Sequence, residues 1–177
     1  MKYLATILFI SVFAFSAMAQ TTTKEANPAD VASIDSIIKA VYDVISGDAG
    51  SARDWDRFRL LFHKDARLIP SGKNQQTGVI GANARTPDQY ATGSAPYFEK
   101  NGFFERELAR KVDQFGNIAQ VFSTYLSFHK KDDKEPFARG INSFQLLNDG
   151  KRWWILTIYW QAETPEQPIP KQYLRST

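Results

Sequence analysis

Cysteine is absent from this 177-residue sequence. No disulfide can brace the fold, no thiolate can act as a nucleophile, and neither haem nor metal can be attached through cysteine. The core must hold the fold by itself. Histidine is scarce: His63 and His129 lie far apart, and neither has a carboxylate or second His at the three- or four-residue spacing of a helix-borne metal site. No metal and no cofactor is expected. The signatures G-x-x-x-x-G-K-S/T, G-x-G-x-x-G and G-x-S-x-G do not occur. Nucleotide, dinucleotide and serine-hydrolase chemistry therefore lack their usual supports. Blocks of like charge are missing as well. The 22 basic and 19 acidic residues are interspersed, for a net charge of +3, so no nucleic-acid partner is expected.

The long apolar run sits at the start of the chain. Lys2 precedes apolar residues from Tyr3 to Phe15, and Ala17-Met18-Ala19 supplies small residues at the right spacing. This reads as a secretory signal cleaved before Gln20. The run is shorter than the roughly 20 residues a membrane span requires. The expected organisation is a signal peptide over 1–19, a loose N-terminus over 20–27, one folded domain over 28–163 and a Pro-spaced, extended tail over 164–177. A periplasmic or secreted location follows, with no membrane attachment after cleavage.

Asn27-Pro28 predicts a helix start, and Val31, Ile34, Ile38, Val41 and Ile45 form one helical stripe running to Gly47. Asp54 opens a shorter helix, "DWDRFRLLF". "ARLIP" predicts a short strand ending at Pro70, and "SGKNQQTGVIGANA" a loop or irregular hairpin. Thr86-Pro87-Asp88-Gln89 combines a capping box with a first-turn Pro. Pro96 inside the following helix predicts a kink or two short pieces before Gly102. From Phe103 the period changes to two. Four long strands with three short turns predict an antiparallel meander. Helices first and the main sheet last make an α+β fold, in which a twisted sheet curls around the helices and leaves a cavity.

The last strand, in "GKRWWILTIYWQ", is apolar on both faces. Trp153, Ile155 and Tyr159 point one way; Trp154, Leu156, Ile158 and Trp160 point the other. One face would pack on helices or floor a cavity, and the other would meet a second copy, so a homodimer is expected. Trp160 separates a dimer seam from a ligand wall.

These pieces carry a resemblance. The helix "SIIKAVYDVISGDAG" leading into "RDWDRFRLLFHKDARLIP", the long meander, and "DGKRWWI" with its Trp153-x-Ile155 resemble the nuclear transport factor 2-like superfamily. It is also called the SnoaL-like or cystatin-like α+β cone, and includes ketosteroid isomerase and scytalone dehydratase. The resemblance covers about Ala29 to Glu163. "SGDAGSARDWDRFRLLFHKDARLIP", "PYFEKNGFFERE" and "ARGINSFQLL" are similar to exported bacterial members. It implies N-terminal helices packed in a curved antiparallel sheet. The fold hosts isomerases, dehydratases, cyclases, ligand binders and dimerisation modules, so it does not choose a function. Tyr42 matches the Tyr that donates to the oxyanion in ketosteroid isomerase. The general base of that enzyme, an Asp before the Pro that ends the short strand, is replaced here by Ile69.

The candidate ligand-binding residues are Tyr42, Tyr97, Tyr125, Arg139 and Asn142, with Tyr42 also the catalytic candidate. Arg139, Ser143 and Gln145 share one strand parity. Asn142, Phe144 and Leu146 share the other, and the pattern does not choose which faces inward. Glu105 and Glu107 also share a face; charge pairing with Arg139 or Lys151 is favoured there over a buried base. Two functions remain open. One is a pocket for a small, largely apolar molecule, with lyase or isomerase chemistry in which Tyr42 donates and Arg139 or Asn142 orients. The other is a non-catalytic dimeric binding or assembly module using the aromatic sheet face. A cavity where Tyr42 and a strand polar group converge favours the first.

Overall fold

The computed structural model describes residues 24–175; the expected signal segment and its cleavage site lie outside them. The first helical stripe forms two helices, α1 (Pro28–Val31) and α2 (Ile34–Ile45). Ser33 separates them. Its backbone is extended, and its hydroxyl and that of Ser36 cap each other's N–H groups, so the helix restarts there. Ile37, Ile38, Val41, Tyr42, Val44 and Ile45 of α2 are buried. Helix α3 (Trp55–Arg59) is capped by Asp54. Arg57 on α3 reaches back to grip Asp30 of α1 with two hydrogen bonds of 2.8 Å.

Helix α4 (Pro87–Asn101) has the capping box of Thr86 with Gln89 and runs through Pro96 as one piece. Thr92 and Pro96 both lie on its exposed side. The carbonyl that Pro96 leaves unpaired therefore faces water, and the helix need not break.

The sheet has six strands in the order β2-β1-β6-β5-β4-β3 and is curved and unclosed. The strands are β1 (Phe62–Lys73), β2 (Ile80–Ala82), β3 (Phe104–Phe115), β4 (Ile118–Phe128), β5 (Ala138–Asn148) and β6 (Trp153–Ala162). The last four form the expected antiparallel meander. Strand β1 is longer than "ARLIP": it continues through Pro70 into a hairpin with β2 and pairs in parallel with β6. The sheet is thus mixed, with one parallel junction, between β1 and β6.

Two β-bulges set which side chains face inward. In β3, Glu107 pairs with Tyr125 and Ala109 with Thr124, leaving Leu108 extra. In β6, Ile155 pairs with Leu146 and Thr157 with Gln145, leaving Leu156 extra. Each extra residue reverses the alternation beyond it. The inner set on β6 is therefore Trp153, Ile155, Ile158 and Trp160, not one parity throughout. Trp154 lies on the other face. There its Nε1 donates to Asp149 at 2.8 Å, and the Arg152 guanidinium covers its ring at 3.6 Å.

The tail is not simply extended. A 3-10 turn at Lys171–Tyr173 folds back on the outer face of β4. Thr124 Oγ1 donates to the Tyr173 carbonyl at 2.5 Å, and the Tyr173 ring packs on Phe122. Thr124 is consequently 1% exposed although it points away from the helices.

One buried cation ties the helix ends together. Arg53 donates through Nε to Ile45 O (3.0 Å) and through Nη2 to Gly47 O (2.6 Å) and Phe98 O (3.5 Å). Nη1 serves the carbonyls of Asp48 and Ser51. Ile45 O lies at the C-terminal end of α2 and Phe98 O in the last turn of α4, and a cation suits the negative end of a helix dipole. Replacing Arg53 by Met should take away the side-chain donor to Ile45 O and Ser51 O and lower stability by about 3 kcal/mol in urea unfolding; an unchanged midpoint would remove Arg53 from this role.

Candidate functional site

A cavity of about 250 Å³ lies between α2, α4 and the concave face of the sheet. Its wall is mostly apolar: Val41 and Ile45 from α2, Phe58 from α3, Tyr90 and Phe98 from α4, and Phe144, Ile158 and Trp160 from the sheet. Polar groups gather at one end, where Glu105, Ser127 and Asn142 meet the hydroxyls of Tyr42 and Tyr125.

Local structure aims Glu105 inward. Gly47 and Phe103 exchange backbone hydrogen bonds of 2.7 and 3.0 Å, which sets β3 against the end of α2. Ser46 completes the junction. Its hydroxyl donates to Tyr42 O at 2.7 Å and accepts from the Glu105 N–H at 3.0 Å. The Glu105 side chain then shares the inner face with Phe103. Its Oε2 accepts from Ser127 Oγ at 3.0 Å, and its Oε1 from Asn142 Nδ2 at 3.3 Å. Burial pushes the carboxyl from its ordinary 4.5 up to about 7, while the two neutral donors pull it partly back.

Tyr42 is buried beside this group. Asn142 Nδ2 donates to its hydroxyl at 3.1 Å, and Ser123 Oγ lies 2.7 Å away. Ser123 gives its one proton to Glu107 Oε1 at 2.6 Å. Tyr42 must therefore be the donor to Ser123. Its proton is committed inside the protein, which opposes the oxyanion-donor role that resemblance implied for it. Burial, helped by the charge of Glu105, holds the phenol above its usual range. Glu107 itself accepts from Arg110 Nε at 2.9 Å on both oxygens, and Arg110 Nη1 reaches Asp35 at 2.6 Å.

Tyr125 differs. Its ring lies over Gly140, where an added Cβ would run into the Tyr125 hydroxyl and the Gln161 carbonyl. Among the described residues no group bonds this hydroxyl, and it opens on the cavity. Burial and Glu105 raise it above the usual tyrosine range. Tyr90 meets Trp160 edge-on at 6.1 Å.

Of the five expected ligand residues, Tyr42, Tyr125 and Asn142 come together here. Two do not. Tyr97 is 48% exposed, because the turn of α4 that points Tyr90, Ala91, Ser94 and Phe98 inward turns Tyr97 to solvent. Arg139 has the opposite parity to Asn142 and faces outward, where it pairs with Glu163. Ile69 pairs with exposed Tyr159, and its neighbour Leu68 faces the cavity, so the place of the absent Asp is not on this wall. Sequence reasoning missed Ser127 as a wall residue and left Trp160 open between dimer seam and ligand wall. Charge pairing was favoured for Glu105, yet Arg139 is engaged by Glu163. The usable signal was Ser127, a small hydroxyl directly opposite Glu105, visible only once the β3–β4 register is known.

Helices held in a curved sheet around an apolar cavity with one polar end define the nuclear transport factor 2-like, or cystatin-like, fold. Solved structures share it. A protein of unknown function with a cystatin-like fold from Nostoc punctiforme superimposes with a TM-score of 0.57 at 10% identity, covering 80% of this chain and 97% of that one. An uncharacterised cystatin-like protein from Caulobacter vibrioides gives 0.53 at 14%, covering 75% and 89%. A nuclear transport factor 2-like protein of unknown function from Silicibacter pomeroyi gives 0.50 at 14%, covering 75% and 94%. No family model and no curated protein matches the sequence. At these identities the likeness concerns the fold.

The raised Glu105 makes stability depend on pH. Between the ordinary 4.5 and about 7 the folded state holds a proton that the unfolded state has lost. Stability from this group is therefore present below 4.5 and lost as pH rises through 7. The total is on the order of 3 kcal/mol. Urea unfolding of Glu105→Gln should show a flatter profile than the parent between pH 5 and pH 8; parallel profiles would mean that Glu105 titrates normally.

Proposed function

We propose that this chain is an exported cavity protein that binds a small, largely apolar molecule, and that Glu105 exchanges a proton with the polar end of that molecule in lyase or isomerase chemistry. One observation carries the reading: a carboxyl at the polar end of an apolar cavity, lifted to about 7. A general acid or base works best when its pKa lies near the working pH. Tyr125 supplies a phenol not engaged elsewhere among the described residues, placed to bond a ligand oxygen or nitrogen. Asn142 and Ser127 hold the carboxyl in position. Tyr42 stands behind Asn142 and acts through it, as a positioning residue.

The convergence of Tyr42 and Asn142 on a cavity supports this reading over a filled cone. Carboxyl carbon NMR should find one Glu titrating near 7, absent in Glu105→Gln. Cyclohexanone, a small neutral probe, should raise the melting temperature, and its α-hydrogen exchange in heavy water should be about 100-fold faster with the parent than with Glu105→Gln. Binding without exchange would leave a ligand carrier. The absence of both binding and a titration near 7 would overturn the proposal.

A dimeric assembly module remains a second reading, favoured by Phe115 and Ile118, which are 85% and 59% exposed side by side at the β3–β4 turn. Against a seam built on Trp160 stands its place on the cavity wall. If a homodimer uses this end of the sheet, Phe115→Ser should convert it to monomer in native mass spectrometry; a dimer that survives the change would place the contact elsewhere.

A further inference from the structure

The cavity wall is unbalanced in charge. Among the described residues it carries one carboxyl, Glu105, and no Lys, Arg or His. The donors to that carboxyl, Ser127 and Asn142, are neutral. The titratable groups that face it from neighbouring elements are phenols: Tyr42 from α2, Tyr90 from α4 and Tyr125 from β4, all raised by burial and so uncharged. Glu107, further along β3, is held by Arg110. Arg85 acts on the Tyr90 hydroxyl but does not line the cavity and is not among the groups acting on Glu105. A carboxylate taken from water without a counter-charge is unfavourable.

The rest of the wall suits a cation. Phe58, Tyr90, Phe98, Phe103, Tyr125 and Trp160 surround the space. Phe98 stacks between Phe103 and Trp55 and Tyr90 stacks on Phe58, whereas among the described residues Tyr125 and Trp160 have no stacked ring over them. The faces of aromatic rings attract organic ammonium groups, most strongly where water is excluded. At about 250 Å³ the space is below the 300–1,000 Å³ typical of drug-sized ligands. One ring and a short side arm fit that scale.

We propose that the ligand of this cavity is a small organic cation, an ammonium group on an apolar frame, with its nitrogen against Glu105 and its frame among the rings. The proposal rests on the cavity reading above and names its substrate class. The ammonium supplies the counter-charge the wall lacks, and its N–H groups can donate to Glu105 and to the Tyr125 oxygen. Bound cation holds Glu105 as carboxylate. Below neutral pH, binding must therefore expel the Glu105 proton, and affinity rises with pH until that carboxyl is ionised.

Calorimetry with benzylamine and its neutral isostere benzyl alcohol tests this directly. At pH 8, benzylamine should bind at least tenfold more tightly than benzyl alcohol. At pH 6 its affinity should fall by about tenfold, with close to one proton released per ligand when buffers of different ionisation heat are compared. Glu105→Gln should bring the two ligands to similar affinity. Should that variant not fold, proton release by the parent decides. Benzyl alcohol binding as well as benzylamine at pH 8 would overturn the cation proposal and leave the cavity reading standing. Binding of neither would overturn both.

Discussion

Asn142 divides its amide between two partners, and the interior is organised around that division. One N–H goes to the Tyr42 hydroxyl and the other to Glu105. Asn142 is buried in β5, Tyr42 sits on α2 and Glu105 on β3, so a single side chain fixes the helix against two strands that are not neighbours. Ser123 and Ser127 join from β4 between them. An apolar core alone tolerates many packings of similar energy. A buried polar group tolerates few, because each lost partner costs about 1–3 kcal/mol. The web thus chooses the inward parity of β3, β4 and β5 together.

Two glutamates two residues apart on β3 have opposite fates, and a bulge decides them. Arg110 is three residues beyond Glu107. On an unbroken strand an odd separation places side chains on opposite faces. The extra residue Leu108 brings Arg110 round to the face of Glu107, and the two form an ion pair. Glu107 gains a cation, a serine and, through Arg110, a link to Asp35. Glu105 lies before the bulge, beyond the reach of any such partner, and meets only neutral donors. The bulge neutralises one carboxylate and brings nothing to the other, which stays alone at the end of an apolar space. Departures from the burial rules of this kind concentrate where proteins bind and react.

Local patterns were legible in the sequence; consequences of register were not. The α2 stripe, the caps at Asp54 and Thr86 and the four-strand meander all depend on residues within a few positions of one another. The parallel pairing of β1 with β6 joins segments some ninety residues apart, as the Ser71–Trp160 hydrogen bond does, and leaves no local mark. The two faces of "GKRWWILTIYWQ" were misassigned beyond Leu156 because alternation was carried through a bulge. Arg139 and Asn142 could not be ranked for a different reason: both parities of β5 mix apolar and polar residues. Glu105 was visible as half of a paired-carboxylate pattern, but its isolation depends on Arg139 turning outward to Glu163.

What keeps the space from closing follows from the same register. A void lined by flexible side chains collapses when rotamers swing in; one lined by locked rings cannot do so without strain. Tyr125 lies flat over Gly140 because that residue has no Cβ, and Gly140 faces inward because it shares the parity of Asn142. Trp160 is turned inward by the Leu156 bulge and braced by Tyr90, which in turn stacks on Phe58 at 5.6 Å. Phe98 is held between Phe103 and Trp55. At the polar end the web itself resists collapse, since moving Glu105 or Asn142 would break bonds to Ser127 and Tyr42. Aromatic walls and a fixed polar end are separate devices, one of shape and one of charge. They meet only because the bulge in β6 aims Trp160 at the space while β3, still regular at Glu105, aims a lone carboxyl at the same point.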